Sequence, residues 1–219
     1  MQSRSKDSVM SRTLLVILAV LALAFAALTG LAVRKGILGP QGQSAAIGGP
    51  FHLVDQAGKP ATEKLLKGKW SAVFFGFTYC PEACPTTLFA LGEAEKLLNA
   101  TDFQTVFISV DPERDTPTKL AAYLANTAYP RAAIGLTGTP DQVAAAARAY
   151  HAYYQKADEG TGYTVNHSTI TYLMSPRGKF VCVIPYGVSP ESLAKMIGTA
   201  MKKGPGAEGC GSPPPPVVG

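Results

Sequence analysis

The feature that most constrains this chain is an apolar run, Ser71-Ala-Val-Phe-Phe-Gly-Phe77, followed at once by Thr78-Tyr-Cys-Pro-Glu-Ala-Cys-Pro85. A run of this kind has no polar face to give to water, so it predicts a strand covered on both sides. From Pro85 onward, Leu88, Leu91, Ala94 and Leu98 recur at helical spacing. Thr105-Val-Phe-Ile-Ser-Val110 predicts a second buried strand. Thr116-Pro117, Thr139-Pro140 and Ser189-Pro190 each set a capping hydroxyl before a proline at the first helical position. Leu120, Tyr123 and Leu124 would form the buried side of the first of these helices, and Leu193, Met196, Ile197 and Ala200 that of the last. Thr169–Met174 and Lys179–Ile184, separated by the turn residues Ser175–Gly178, predict a β-hairpin. A short strand and turn at His52–Asp55 and Gly58–Pro60 precede all of this. The order is an α/β pattern closed by a hairpin and a helix.

The N-terminus adds a second constraint. Leu14 to Val33 contains no charged residue, and about 20 apolar residues span the hydrocarbon core as a helix. The stretch is expected to be an uncleaved anchor. The alternative is a signal peptide cut after Ala24-Phe25-Ala26, but the apolar run continues to Val33. Either way the rest of the chain is exported. Arg4, Lys6 and Arg12 precede the span, against Arg34 and Lys35 after it, a slight bias to a cytoplasmic N-terminus. The chain carries a net charge of +5, but residues 1–35 hold five Lys/Arg and one Asp, leaving +1 for the remainder. Nothing in that balance points to nucleic acid. The expected organisation is a basic leader at 1–13, the anchor at 14–33, a Gly/Ala/Gln/Ser linker at 34–50, a folded domain at 51–203 and a Gly/Pro-rich disordered tail at 204–219.

Four cysteines in an exported domain of this size do not make a disulfide scaffold. Cys80 and Cys84 form the one close pair, at the end of the first buried strand and at the expected start of a helix. Strand ends of this kind line the functional crevice of open α/β sheets, and a helix N-terminus favours thiolate. Pro85 would strain a helix already running from Pro81, so Cys80 to Cys84 is expected to form a loop leading into the first turn. Cys182 reads as an inert core thiol and Cys210 as an exposed thiol in the tail. Asp111 follows the second buried strand, and His167, in Val165-Asn-His-Ser-Thr169, precedes the hairpin strand. Neither His52 nor His151 is placed at a strand end facing the pair. Two thiolates and one imidazole make a soft site that suits Cu(I), Cu(II) or both, and the same set with an open fourth position suits zinc.

Three motifs, Phe75-Gly-Phe-Thr-Tyr-Cys-Pro-Glu-Ala-Cys-Pro85, Ser109-Val-Asp-Pro-Glu-Arg-Asp-Thr-Pro117 and Val165-Asn-His-Ser168, in this order and spacing, resemble the Sco (SenC) family. The resemblance covers roughly Phe51 to Met201. It implies a membrane-anchored protein with a thioredoxin-like fold, a central mixed sheet flanked by helices, that takes part in assembling the binuclear copper centre of cytochrome c oxidase. It also implies copper, as Cu(I) or Cu(II), held by Cys80, Cys84 and His167, with Asp111 in the shell around them. Tyr79 stands where such proteins often have His, and Asn166 where they often have Asp. Neither is an expected ligand.

Three functions from different classes fit a paired thiol. The first is a copper metallochaperone delivering to the copper-receiving subunit of the oxidase, with another copper chaperone as donor. The second is a thiol–disulfide reductase, with Cys80 and Cys84 as its redox-active pair, that keeps the cysteines of the target subunit reduced. His167 separates the two, because thiol exchange does not need it. The third, a peroxidase of the peroxiredoxin type, needs Pro-x-x-x-Thr-x-x-Cys. Here those positions hold Val73 and Phe77 before Cys80, and Phe77 and Pro81 before Cys84. The short leader lacks the Arg-rich form of a transit peptide. The expected location is therefore a bacterial inner membrane with the domain in the periplasm, the alternative being the mitochondrial inner membrane facing the intermembrane space.

Overall fold

The computed structural model describes residues 17–27, 47–212 and 214. The chain divides into two units, Met1–Ser44 and Ala45–Gly219. In the first, residues 17–27 are helical (α1). Among the described residues no helix is long and apolar enough to cross a membrane. The expected span 14–33 lies partly outside the described residues, as do most of the expected linker and the chain's last five residues.

The second unit is built on a seven-stranded mixed sheet in the order β2-β1-β5-β4-β3-β8-β9. Its strands are β1 (His52–Asp55), β2 (Pro60–Thr62), β3 (Trp70–Gly76), β4 (Phe103–Ser109), β5 (Ile134–Thr137), β8 (Thr171–Met174) and β9 (Phe180–Ile184). A separate two-stranded ribbon comprises β6 (Tyr154–Glu159) and β7 (Gly162–His167). Strand β3 lies inside the sheet next to the middle strand β4, parallel to it from Trp70↔Phe103 to Gly76↔Ser109 and antiparallel to β8 from Ser71↔Met174 to Phe74↔Thr171. Its alternate side chains serve two cores. Val73, Phe75 and Phe77 pack with Val106, Ile108, Leu136, Val143 and Tyr150 on one side. Ala72 and Phe74 pack on the other, against α2 (Ala83–Leu98), α3 (Pro117–Leu124) and α5 (Pro190–Lys203). The first side is covered by α4 (Pro140–Tyr150). Water therefore reaches neither face of the run, and the buried Ser71 is its single polar residue.

The three capping signals act as expected. The hydroxyls of Thr116, Thr139 and Ser189 accept from the backbone N–H of Lys119, Gln142 and Ser192, and each is followed by proline. Helix α2 begins at Ala83, with Pro85 in its first turn and Cys80 ahead of it. The β8–β9 hairpin forms as expected. The ribbon β6–β7 is a feature the apolar pattern does not reveal. Its residues are exposed or half-buried apart from the buried Val165, but the reversal at Glu159-Gly-Thr-Gly162 is a readable turn signal.

The two remaining cysteines require a correction. Cys182 in β9 and Cys210 form a disulfide across a sequence separation of 28, so neither is a solitary thiol. The tail is also partly packed. After α5 the chain returns along the sheet edge, Ala207 is buried, and Gly211 exchanges backbone hydrogen bonds with Val183. Gly and Pro content alone missed this because the segment is held by a covalent bond and an edge strand rather than by its own apolar residues.

Candidate metal centre

Strand β3 delivers the chain to the edge of the sheet, and Thr78 to Cys80 leave it there. The backbone N–H of Thr78 donates to Asp115 Oδ2 (2.9 Å) and its hydroxyl to Oδ1 (2.6 Å). Ser109, the last residue of β4, donates to the same carboxylate at 2.7 Å. Asp115 thus ties the two central strand ends together just before Cys80. Burial pushes its carboxyl above the ordinary range in spite of these bonds. Sequence alone does not single out Asp115. Beside the capping Thr116 it reads as an acid at a helix start.

The two thiols differ sharply. Cys80 is partly exposed and Cys84 is fully buried. The Cys84 N–H, one of the unpaired donors in the first turn of α2, points at Cys80 Sγ from 3.4 Å. The hydrogen bond from the Cys84 side chain chiefly, with others from His167 and backbone amides, outweighs burial and lowers the Cys80 thiol from 9.0 to about 4. Burial, then the neighbouring Cys80, push the Cys84 thiol the other way. The helix N-terminus therefore serves the cysteine that precedes it rather than the one inside it. Gly76 makes room for the buried sulfur: a Cβ there would lie 2.6 Å from Cys84 Sγ and 2.9 Å from Phe107.

His167 ends β7, four positions before the chain enters β8 at Thr171, opposite Phe74. Its Nδ1 lies 2.9 Å from the Ser168 carbonyl oxygen. A carbonyl only accepts, so Nδ1 carries the proton of this bond, and in the neutral ring the Nε2 lone pair is free. Nε2 lies 3.6 Å from Cys84 Sγ. Phe74 and Phe77 meet the imidazole edge-on and fix its plane, with ring centroids 6.1 and 5.6 Å away. Cys80 Sγ, Cys84 Sγ and one His167 nitrogen all lie within 4.8 Å of one another. Two sulfurs and one imidazole nitrogen are a donor set for a soft or borderline ion, and three donors leave a coordination position open.

The ribbon that carries His167 is held from the loop after β4. Asp111 is fully buried, pairs with Arg114 Nε, and accepts from the Tyr163 hydroxyl at 2.8 Å. Arg114 Nη1 donates to the Tyr163 carbonyl at 2.9 Å, and its guanidinium lies 3.9 Å from the Tyr163 ring centroid. Val165 inserts into the core. Among the described residues no hydrogen bond joins Asp111 to Cys80, Cys84 or His167. Its contacts latch the ribbon, while Asp115, four residues on, steadies the loop before Cys80. Exposed Tyr79 stacks beneath Arg114 and Lys119, whose charges lie 4.8 and 5.2 Å from its ring centroid. Asn166 is exposed on β7. His52 lies at the start of β1, and His151 caps α4 in the left-handed region at φ 54°, both apart from the cluster.

A family model described as SCO1/SenC matches residues 39–202. The chain is 47% identical over 155 residues to "Protein SCO1 homolog 1, mitochondrial" of Arabidopsis thaliana, covering 69% of this chain and 45% of that protein. It is 42% identical over 170 residues to "Protein SenC" of Rhodobacter capsulatus, covering 76% of this chain and 75% of that one. The crystal structure of Arabidopsis thaliana ScoI with copper bound superposes with a TM-score of 0.69 at 41% identity, covering 72% of this chain and 99% of that one. The chain spans about half the length of the mitochondrial relatives it matches. The mixed sheet with a Cys-x-x-x-Cys at the end of its central strand is the thioredoxin-like arrangement of these structures, and the chain belongs to the SCO1/SenC family.

Proposed function

We propose that this protein binds one copper ion through Cys80, Cys84 and His167 and delivers it to the binuclear copper centre of cytochrome c oxidase, tethered to the same membrane by residues 14–33. The observation that carries this reading is the convergence of two sulfurs and one imidazole nitrogen within 4.8 Å of one another at the end of β3. The copper-bound relative supports the choice of copper over zinc. Copper is the cargo here, so a site that is complete enough to hold it and open enough to release it suits the task. The test is metal analysis of the reduced protein after exposure to copper and zinc together. One copper per chain, lost in the Cys80→Ser, Cys84→Ser double variant, is expected. Preferential retention of zinc would overturn the reading.

A second reading, thiol–disulfide reductase toward the target's cysteines, is favoured by the asymmetry of the pair. A partly exposed thiolate at Cys80 beside a buried thiol at Cys84 suits attack on a disulfide followed by resolution. The His167→Ala variant separates the two readings. Oxidase lacking copper in cells, with thiol exchange intact in vitro, identifies metal delivery as the essential task. Normal oxidase loading identifies reduction.

A further inference from the structure

Charge is unevenly placed on the folded unit. At the end where β3 begins and β8 finishes, Lys64, Lys67, Lys69, Arg177 and Lys179 are all exposed. The two short segments that carry them are tied together: Lys67 forms a β-bridge with Arg177, and the Gly68 N–H donates to the Pro176 carbonyl at 2.8 Å. None of the five takes part in a salt bridge among the described residues. Glu63 is the one carboxylate on these segments. Helices α2, α4 and α5 run toward the same end and carry Lys96, Arg148, Lys202 and Lys203 in their last turns. Glu93, which pairs with Lys96, and Glu95 and Asp102 offset part of that contribution, and Glu63 offsets one of the five charges of the cluster. The other end is mixed: Asp141 and Glu191 lie in the first turns of α4 and α5, Asp115 is buried between strand ends, Asp111 pairs with Arg114 and Glu113 with Lys156, and Lys119 lies over Tyr79.

The N-terminal segment of the folded unit is taken up at the basic end. The Gly48 N–H donates to the Ala149 carbonyl in the last turn of α4 at 2.8 Å, and Gly48 and Gly49 line one cleft with Lys67, Arg177 and Lys179. The length of β3 sets Cys80 about 20 Å from this end. We infer that the basic end docks on the anionic headgroups of the membrane that holds the chain, turning the Cys80–Cys84–His167 edge away from that membrane. The inference rests on the reading of residues 14–33 as an anchor. The chain leading from that segment joins the folded unit at the basic end, so headgroups are most concentrated there. Cationic side chains within a Debye length of an anionic leaflet are drawn to it. The open site then faces a partner domain standing above the bilayer.

The test uses the full chain reconstituted in phosphatidylcholine vesicles with and without phosphatidylglycerol. A pulse of amine-reactive label is read lysine by lysine by mass spectrometry. Lys64, Lys67, Lys69 and Lys179 are expected to label about 3-fold or more slowly when phosphatidylglycerol is present, with the difference removed by high salt. Lys119 and Lys156, at the site end, should label equally in both. In the variant Lys64→Glu, Lys67→Glu, Arg177→Glu, Lys179→Glu, which keeps the backbone contacts of these positions and removes side chains that form no salt bridge among the described residues, protection at Lys69 should vanish. Equal rates in the two vesicles, from protein that floats with both in high salt, would overturn the docking. So would protection produced by inorganic phosphate with neutral vesicles, which would mark a simple anion site. Failure to float in high salt would overturn the anchor reading instead.

Discussion

Two pairs of cysteines in one small domain meet opposite fates. Cys80 and Cys84 are four positions apart, remain free thiols, and share their surroundings with an imidazole and a helix N-terminus. Cys182 and Cys210 are separated by 28 positions and are joined in a disulfide that pins the returning chain to the last strand. The first pair lies at an open strand end, where each sulfur has a different solvent exposure and a nitrogen donor within reach. The second joins Cys182, buried in an apolar cluster with Ala72, Leu173, Leu193 and Ile197, to the partly buried Cys210 packed against it. Thiol chemistry is set by these surroundings rather than by residue type. The site pair is built for exchange and the other for tethering.

The largest effect should come from emptying one pair at a time. Cys80→Ser with Cys84→Ser should abolish tight copper binding, whereas Cys182→Ser with Cys210→Ser should leave it at one per chain. Equilibrium dialysis against a competing chelator measures both. Copper loss in the second variant would break the comparison. Next comes His167→Ala, which removes one of three donors. Copper affinity should fall by about 100-fold or more, beyond the usual range for disturbing a ligand's supporting residues, while exchange with a small disulfide persists.

Removing the tether should act on stability instead. Cys210→Ser should destabilise the domain by about 3 kcal/mol, the scale expected for a loop of this length, read from denaturant unfolding under non-reducing conditions. A smaller effect is expected at the latch. Tyr163→Phe removes only the hydroxyl that donates to Asp111. It should cost about 1 kcal/mol and weaken copper binding by up to about 10-fold through looser placement of His167, with Cys80 reactivity unchanged.

The pH response of the reduced, metal-free protein sharpens the comparison within the site pair itself. The Cys80 thiol is lowered from 9.0 to about 4 in the folded state. Between those values the unfolded chain binds a proton that the folded one does not, so stability is highest near the upper limit and declines as pH falls toward about 4. The Cys84 thiol is raised, so the folded state retains a proton that the unfolded chain gives up above about 9, and stability falls again there. Alkylation should reach Cys80 first and lose rate only as pH approaches about 4. Equal labelling of Cys84 would contradict the asymmetry between the two sulfurs.

Much of the fold was legible because its signals are local. The apolar run of β3, the Thr-Pro and Ser-Pro helix starts and the turn at Ser175–Gly178 each act within a few residues. The ribbon β6–β7 escaped because it is mostly solvated and held by side chains from elsewhere, Arg114 and Asp111 among them. Asp115 escaped for a related reason, since its partners Thr78 and Ser109 are brought to it by two different strands.

The sequence by itself determined the element order, the strand-end placement of Cys80 and Cys84, and the identity of His167 as the candidate nitrogen donor. These follow from periodicity, caps and motif spacing, which the chain carries locally. Only the tertiary structure decided which sulfur is the thiolate, which ring nitrogen meets Cys84, that Asp111 latches the ribbon, and that Cys182 finds Cys210. Each of these depends on groups distant in the chain meeting in a medium where burial and single hydrogen bonds outweigh intrinsic preference, and no local pattern records such a meeting.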